Sequence, residues 1–290
     1  MTEIACVAAA GVELGESPVW DDRYHLLYWV DILGRKLHRF DPYTGVDAAW
    51  DMPQEPGAVA LRRQGGVVVA LRHGFYAFDF MDPEPNLLAP IPDEPATNRL
   101  NDGRVDPAGR FWSGSVNEAT REPTGALYCL DDERRVSRKL AGIACSNSLC
   151  WSPDGKTMYH ADSFTWQIRA WDFDADTGAI ANPRLFIDIP REEGFSDGAT
   201  VDAEGCLWAA HWGQGQLKRY DPAGKPMRTV ELPVSNVTCP CFGGPDLTTL
   251  YVTSARFRLT DAQREVEPQA GGLFAFDAGV KGLPENRYAG

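Results

Sequence analysis

The sequence predicts an all-β protein, a six-bladed β-propeller with antiparallel blades of four strands. A strand-turn-strand pattern recurs six times along the 290 residues, and a repeat of roughly 40 to 50 residues is typical of propeller blades. No amphipathic helix of useful length separates the repeats, which argues against a parallel α/β fold. A two-sheet sandwich also has short strands and frequent turns, but it would not repeat one unit six times.

Each repeat begins with a predicted β-hairpin, and the six hairpins cover residues 17–31, 58–71, 103–115, 149–162, 199–212 and 239–254. A third apolar segment follows each hairpin and ends in an acidic residue, namely Asp41, Asp79, Asp131, Asp172, Asp221 or Asp277. The spacing leaves room for a fourth strand. We expect residues 4–10 (IACVAAA) to complete the last blade, because an open ring would have unpaired edges. Residues 1–290 are therefore predicted to form a single propeller domain.

Charge and composition exclude several classes of partner. The formal net charge is -13, which argues against nucleic acid and favours neutral or cationic partners. The chain lacks an apolar run of the roughly 20 residues that cross a bilayer and has no secretory signal, so we expect a cytoplasmic monomer without membrane contact. Seven cysteines without zinc-type spacing also fit a reducing compartment.

Polar residues occupy equivalent positions in the predicted inner strands, which line the axial channel of a propeller. When the repeats are aligned on the residue that enters each hairpin turn, the positions four residues earlier are Glu16, Gly57, Asn101, Asn147, Asp197 and Val237. Four of these six side chains carry oxygen donors. Burying them together costs desolvation and repulsion unless a cation lies among them.

Glu16, Asn147 and Asp197 are the predicted ligands of that cation. An all-oxygen set suits Ca²⁺, Mg²⁺, Mn²⁺ or Fe²⁺ better than a structural zinc ion. Three protein ligands leave coordination positions for water and substrate. Asn and Asp also favour turns and strand ends, where they bond to backbone. That alternative explains any one of these residues, but four in one register favour the cation site.

Two further residues are candidates for the same opening. Arg99 lies two residues before Asn101 and therefore on the same face of the strand. Glu118 follows the third hairpin in a loop that could reach the channel mouth. A surface ion pair for Arg99 and simple solvation for Glu118 are the alternatives.

Five segments make the chain resemble the regucalcin-like sugar lactonase family, which includes senescence marker protein, gluconolactonase and luciferin-regenerating enzyme. These segments are GESPVWD, NRLNDGRVDPAGRFW, SNSLCWSPDGKTMY, FSDGATVDAEGCLW and CFGGPDLTTLYVTS. The resemblance implies a metal bound by Glu16, Asn147 and Asp197, with Asn101 bonded to substrate or to a metal-bound water. It also implies that Arg99 and Glu118 contact the sugar lactone, although the loop around Glu118 differs from the animal members.

The resemblance implies metal-dependent hydrolysis of a sugar-acid lactone. Asp197 is the candidate general base, because a carboxylate beside the metal can accept a proton from water at short range. Among bacterial relatives the chain is similar to xylonolactonases, so the expected reaction converts D-xylonolactone to D-xylonate. That similarity favours Fe²⁺, with Ca²⁺, Mn²⁺, Zn²⁺ or Mg²⁺ as alternatives. A gluconolactonase, a non-enzymatic calcium-binding propeller and an esterase of paraoxonase type are the competing interpretations.

Overall fold

The computed structural model describes residues 3–290. Strands β1 to β24 form six antiparallel sheets of four strands each. The sheets are the blades of a six-bladed propeller, so the predicted fold class is confirmed. Among residues 3–290, no helix is both long enough and apolar enough to cross a bilayer.

The blades follow one another along the chain, and each is numbered from its innermost strand. Blade 1 contains β2 (Gly15–Asp21), β3 (Leu26–Asp31), β4 (Lys36–Asp41) and β5 (Val46–Asp51). Blade 2 contains β6 (Pro56–Leu61), β7 (Val67–Leu71), β8 (Gly74–Asp79) and β9 (Asp82–Pro90). Blade 3 contains β10 (Arg99–Val105), β11 (Phe111–Val116), β12 (Gly125–Leu130) and β13 (Val136–Ile143).

The second half of the ring repeats this order. Blade 4 contains β14 (Ser146–Trp151), β15 (Thr157–Asp162), β16 (Gln167–Asp174) and β17 (Ala179–Asp188). Blade 5 contains β18 (Phe195–Val201), β19 (Leu207–Trp212), β20 (Gln216–Tyr220) and β21 (Pro226–Glu231). Blade 6 contains β22 (Val237–Gly243), β23 (Thr249–Ser254), β24 (Leu273–Asp277) and β1 (Ala5–Ala8). The helical elements are α1 (Asp261–Val266) and two 3₁₀ turns, Ser163–Thr165 and Arg191–Glu193.

The N-terminal strand closes the ring. Strand β1 pairs antiparallel with β24, with Ala5 opposite Ala275 and Cys6 opposite Phe274. Blade 6 is thus built from both ends of the chain, as predicted from residues 4–10. The pairing removes an open edge and joins the first blade to the last.

The acidic residue that ends each third strand has a structural role. Asp41, Asp131 and Asp221 each accept a hydrogen bond from the backbone N–H two residues later, over 2.8, 3.0 and 2.9 Å. This Asx contact stabilises the turn into the fourth strand. In blade 4 the strand runs two residues beyond the predicted end at Asp172, and Asp174 makes the equivalent contact at 2.9 Å.

The core consists of six apolar clusters, one between each pair of neighbouring blades. Trp20 of blade 1 stacks on Tyr251 of blade 6, with ring centroids 5.8 Å apart. Trp112 of blade 3 meets Trp151 of blade 4 edge to face at 5.9 Å. Packing between aromatic strand residues therefore holds the blades around the channel.

The C-terminal segment crosses the end of the channel opposite the candidate site. Its Asn286 side chain donates to the carbonyl oxygen of Val105 in blade 3 at 3.2 Å. The backbone N–H of Tyr288 donates to Leu61 in blade 2 at 2.8 Å, and the Tyr288 side chain is fully buried. Arg287 forms an ion pair with Asp21 of blade 1. This segment follows blade 6 in sequence and contacts blades 1, 2 and 3.

Candidate functional site

Irregular backbone at the channel mouth positions the candidate residues. The pairing of the innermost strand with the next strand shifts register between Glu16 and Val19 in blade 1, and between Asn147 and Cys150 in blade 4. The other four innermost strands shift at the equivalent place. A β-bulge redirects the side chains that precede it. All six strands therefore bend where the aligned positions reach the channel.

Two serines stabilise this bend. Ser17 and Ser148 adopt left-handed backbone conformations with φ of 50° and 55°, which is uncommon for residues other than glycine. The Ser17 hydroxyl accepts from the backbone N–H of Val59 in the next blade at 3.0 Å. The Ser148 hydroxyl donates to the carbonyl oxygen of Asp197 at 2.5 Å. Each bend is therefore joined to the neighbouring blade.

The bends surround a cavity of about 110 Å³ at the mouth of the channel. The structure brings all six residues predicted from the sequence into its wall, namely Glu16, Arg99, Asn101, Glu118, Asn147 and Asp197. Their convergence gives the alternatives of separate strand caps and isolated surface residues less support. Their individual roles in binding and catalysis stay predictions.

Three buried carboxyl groups lie at and just below the floor of the cavity. Glu16 is 5% exposed, and Asp197 and Asp102 are each 7% exposed. Burial raises the pKa of Glu16 well above its ordinary value, and the charges of Asp197 and Asp102 raise it further. Burial and the charge of Asp102 also raise the pKa of Asp197. These shifts indicate a site that is short of positive charge.

A hydrogen-bonded chain runs from the rim of the cavity to Asn147. Arg99 donates to Glu118 over 2.6 Å and to the Oδ1 atom of Asn101 over 2.7 Å. The Nδ2 atom of Asn101 in turn donates to the Oδ1 atom of Asn147 over 3.0 Å. Burial acts to raise the pKa of Glu118, but the charge and the hydrogen bond of Arg99, together with the charges of Arg72 and Arg258, outweigh it and hold the pKa below its ordinary value.

The other end of the Asn147 amide is also fixed. Its Nδ2 atom donates to the Ser163 hydroxyl at 2.8 Å, and that hydroxyl donates to the carbonyl oxygen of Ser196 at 2.6 Å. Blades 4 and 5 thus hold the amide in one orientation, with its oxygen as the acceptor available to the cavity. A metal ligand held in this way has less conformational entropy to lose on binding.

These residues fit a hard divalent cation. Two buried carboxylates and one oriented amide oxygen match the donor atoms that such ions prefer, and the raised carboxyl pKa values show that the floor favours added positive charge. Within residues 3–290, no cluster of three or more His, Cys, Asp or Glu side chains has the arrangement of a metal site. The candidate centre therefore depends on the amide of Asn147.

The sequence did not point to several residues of the site. Asp102 follows Asn101 directly, and its carboxylate accepts a hydrogen bond from the backbone N–H of Leu149 at 2.9 Å. This bond joins the innermost strands of blades 3 and 4 below the floor. The aromatic wall comes from loops and strand ends, and it consists of Phe164, Phe195, Trp212 and Phe257. Of these, only Trp212 falls within a predicted hairpin. Alternation along β10 could have identified Asp102 as a buried carboxylate. The loop residues gave no such signal.

Comparison with known proteins identifies the family. The family described as "SMP-30/Gluconolactonase/LRE-like region" matches residues 14–256. The chain belongs to this family. Among curated members, regucalcin of Xenopus laevis is 38% identical over 295 residues, with 99% of each chain covered.

Two solved structures of the family have the same fold as the chain. Regucalcin of Agrobacterium tumefaciens, described as a calcium-binding protein, aligns with a TM-score of 0.94 and 32% identity, covering 99% of this chain and 97% of its own. A luciferin-regenerating enzyme aligns with a TM-score of 0.92 and 29% identity over 100% of both chains. The resemblance inferred from the five sequence segments is therefore confirmed at the level of the family.

Proposed function

We propose that the chain hydrolyses sugar-acid lactones with the help of one divalent metal ion. The convergence of Glu16, Asn147 and Asp197 beside a wall of hydrogen-bonding side chains is the observation that carries this proposal. The family, whose description includes gluconolactonase, supports the same class of reaction.

Glu16, Asn147 and Asp197 would hold the ion. When bound, it supplies Lewis-acid polarisation of the lactone carbonyl. Arg99 presents fixed N–H donors to the cavity, among them its buried Nε–H, which has no hydrogen-bond partner within residues 3–290, and Glu118 presents a carboxylate acceptor. This combination suits the vicinal hydroxyls of a sugar ring, each of which is both donor and acceptor. The wall therefore orients the lactone above the floor.

Asp197 is the proposed general base. Its carboxyl group lies on the floor beside Glu16, and its strand is held by the hydrogen bond from Ser148. It accepts a proton from the water that attacks the carbonyl carbon. The bond between that carbon and the ring oxygen then breaks, and the ring oxygen receives the proton as the hydroxyl of the open-chain acid. One water is consumed and one carboxylic acid forms.

D-xylonolactone is the substrate that the sequence resemblance favours, with D-gluconolactone second. Fe²⁺ is the first ion to test on the same grounds. Ca²⁺ is the second, because the Agrobacterium relative is described as calcium-binding. That description also supports a different function, in which the chain binds calcium without hydrolysing lactones.

A lactone panel tests the proposal. The protein is dialysed against a chelator and assayed on five- and six-carbon aldonolactones with Fe²⁺, Ca²⁺, Mn²⁺, Zn²⁺ or Mg²⁺ added singly. Hydrolysis with at least one ion, lost in Asp197→Asn and retained in Asp188→Ala, supports it. Asp188 is the matched control, because it is an exposed aspartate on the outer strand of blade 4. Calcium binding without hydrolysis of any lactone would establish the non-enzymatic alternative instead.

A further inference from the structure

The rim of the cavity carries positive charge that a neutral sugar does not use. Arg121 and Arg258 line the cavity together with Arg99. Arg99 is neutralised by its ion pair with Glu118. In the described part of the chain, neither Arg121 nor Arg258 forms an ion pair with a carboxylate. Neither guanidinium group at the mouth is therefore paired directly with a carboxylate, although the charge of Arg258 also acts on Glu118 from a longer distance.

Both guanidinium groups are held in position over aromatic rings of the cavity wall. The Cζ atom of Arg121 lies 4.9 Å from the ring centroid of Phe164, and that of Arg258 lies 5.0 Å from the ring centroid of Phe257. Stacking of this kind restrains an arginine side chain but leaves the N–H donors at its edge free. The two groups can therefore donate to a ligand that enters the cavity.

The backbone holds the same two residues. Arg121 and Arg258 have φ values of 59° and 66°, in the left-handed region. The N–H of Arg121 donates to the carbonyl oxygen of Asn117 at 3.0 Å. Leu259, beside Arg258, is buried. Each arginine thus projects from a local turn, one on each of two loops that belong to different blades.

The charge balance of the cavity follows from its lining residues. A divalent ion on Glu16 and Asp197 would balance the two carboxylates that line the floor, and the pair of Arg99 and Glu118 is neutral as well. The third carboxyl group, Asp102, does not line the cavity and lies below the floor, where the charge of Arg104 acts on it. Arg121 and Arg258 then leave the mouth with two positive charges, in a protein whose net charge is -13. The acidity of the whole chain, which favours neutral or cationic partners, is reversed at this opening. Local charge of this kind concentrates anions.

We propose that Arg121 and Arg258 form an anion-binding rim that favours lactones with a carboxylate or phosphate group remote from the ring carbonyl. This inference rests on the proposed lactone hydrolysis and specifies the class of substrate. The ring would lie between the floor and Arg99, and the charged end would reach the two guanidinium groups. A neutral pentonolactone or hexonolactone would still fit the floor but would leave the rim unpaired.

Matched pairs of lactones test the rim. D-glucono-1,5-lactone is compared with its 6-phospho derivative, and D-glucono-1,4-lactone with D-glucaro-1,4-lactone, so phosphate and carboxylate are examined separately. We expect the charged member of at least one pair to have about a tenfold lower KM at low ionic strength, since each exposed ion pair contributes a fewfold effect. The ratio of KM values should fall in 0.5 M NaCl, where the Debye length is about 4 Å instead of about 30 Å in 0.01 M buffer.

Variants assign the effect to the rim. In the double variant Arg121→Gln and Arg258→Gln, the ratio of KM values should fall toward one. Arg134→Gln should keep the wild-type ratio, because Arg134 is also exposed with a left-handed φ of 64° but does not line the cavity. An unchanged ratio in the double variant, or no preference for the charged lactone in the wild type, overturns the inference.

Binding of the products gives a readout that does not depend on turnover. Calorimetry should show 6-phosphogluconate or glucarate binding more tightly than gluconate, and the double variant should lose the difference. If neutral lactones are hydrolysed and no charge preference exists, only the anion-binding rim is wrong. If no lactone is hydrolysed with any metal, the proposed function is wrong. If gluconate, 6-phosphogluconate and glucarate also bind equally, the anion-binding rim is wrong as well.

Discussion

The side-chain amide of Asn101 donates a hydrogen bond to the Oδ1 atom of Asn147 over 3.0 Å. Its Nδ2 atom also donates to the carbonyl oxygen of Ser146 at 2.9 Å. Asn101 thus links the innermost strands of blades 3 and 4 at the level of the candidate metal ligands. Its position makes it a support for Asn147 as well as part of the cavity wall.

Replacing Asn101 with Ala should weaken metal binding. Without the donor from Asn101, the oxygen of Asn147 loses one of the contacts that orient it, and loss of such support lowers metal affinity by about 10- to 100-fold. Calorimetric titration of the chelator-treated protein measures this directly. Asn86→Ala is the control, because Asn86 is exposed on the outer strand of blade 2. Equal affinities in both variants would show that Asn101 does not support the site.

Removing the metal should destabilise the protein. Glu16 and Asp197 are buried together, so the folded state without the ion contains two carboxyl groups that repel each other when ionised. Adding an ion at about a thousand times its Kd should stabilise the fold by about 4 kcal/mol. Thermal unfolding with and without each ion gives the value. In Asp197→Asn this metal-induced stabilisation should be largely lost. If the variant is stabilised by the ion as much as the wild type is, the ion binds elsewhere.

His160 should make stability depend on pH. It is buried, its Nε2 atom lies 2.9 Å from the Ser146 hydroxyl, and burial lowers its pKa to about 4. The unfolded chain binds a proton below about pH 6.5, but the folded chain does not until about pH 4, so stability falls as pH falls through this window. Between pH 7.5 and pH 5 the contribution of His160 should lower the free energy of unfolding by about 2 kcal/mol.

Urea unfolding at pH 7.5 and pH 5 tests the role of His160. His160→Gln should lose less free energy of unfolding over this interval than the wild type, even if it is less stable at pH 7.5. The exposed His73, for which the same substitution removes no buried ring, is the control. Identical pH dependence in wild type and His160→Gln contradicts the prediction.

Glu118→Gln should raise the KM for a lactone about tenfold. The substitution leaves Arg99, whose side chain is 4% exposed, without its charged partner. The Arg99 side chain is then no longer held in place in the cavity wall. Steady-state kinetics on the best neutral lactone measure the change. Glu133→Gln, which removes one member of an exposed ion pair with Arg135, should leave KM unchanged. A wild-type KM in Glu118→Gln would remove Glu118 from the substrate site.

Tyr288→Ala should destabilise the fold by about 3 to 5 kcal/mol, the usual cost of removing a large buried aromatic side chain. Tyr288 is fully buried, and its hydroxyl donates to the carbonyl oxygen of Asp131 at 2.8 Å. Chemical unfolding compares it with Tyr43→Ala, in which the lost side chain is 72% exposed. Similar midpoints for the two variants would show that the C-terminal segment contributes little to stability.

Much of the fold was predictable because its signals are local and repeated. The turn contacts of Asp41 and Asp221 recur in each repeat, and the hairpins consist of short, largely buried strands bounded by turn residues. The repeat register also located Glu16, Asn101, Asn147 and Asp197, since equivalent strand positions converge on one axis.

The rest of the cavity depends on long-range placement. Phe257 and Arg258 belong to a long connection in blade 6, and Arg121 to the loop of blade 3. Their meeting at one opening results from the closure of the ring and not from any local pattern. The C-terminal segment was not anticipated for the same reason, because its partners, such as Leu61 and Val105, are distant in sequence.

The far end of the channel contains Glu285 and Asn286 among residues of the innermost strands, such as Ser17 and Gly103. In the proposed hydrolysis, lactone and product acid would therefore both pass the entrance beside Arg99. An acid that lingers at this entrance excludes the next lactone, so product inhibition should be competitive with substrate. The rate of release then sets how fast the protein can work at high product concentration.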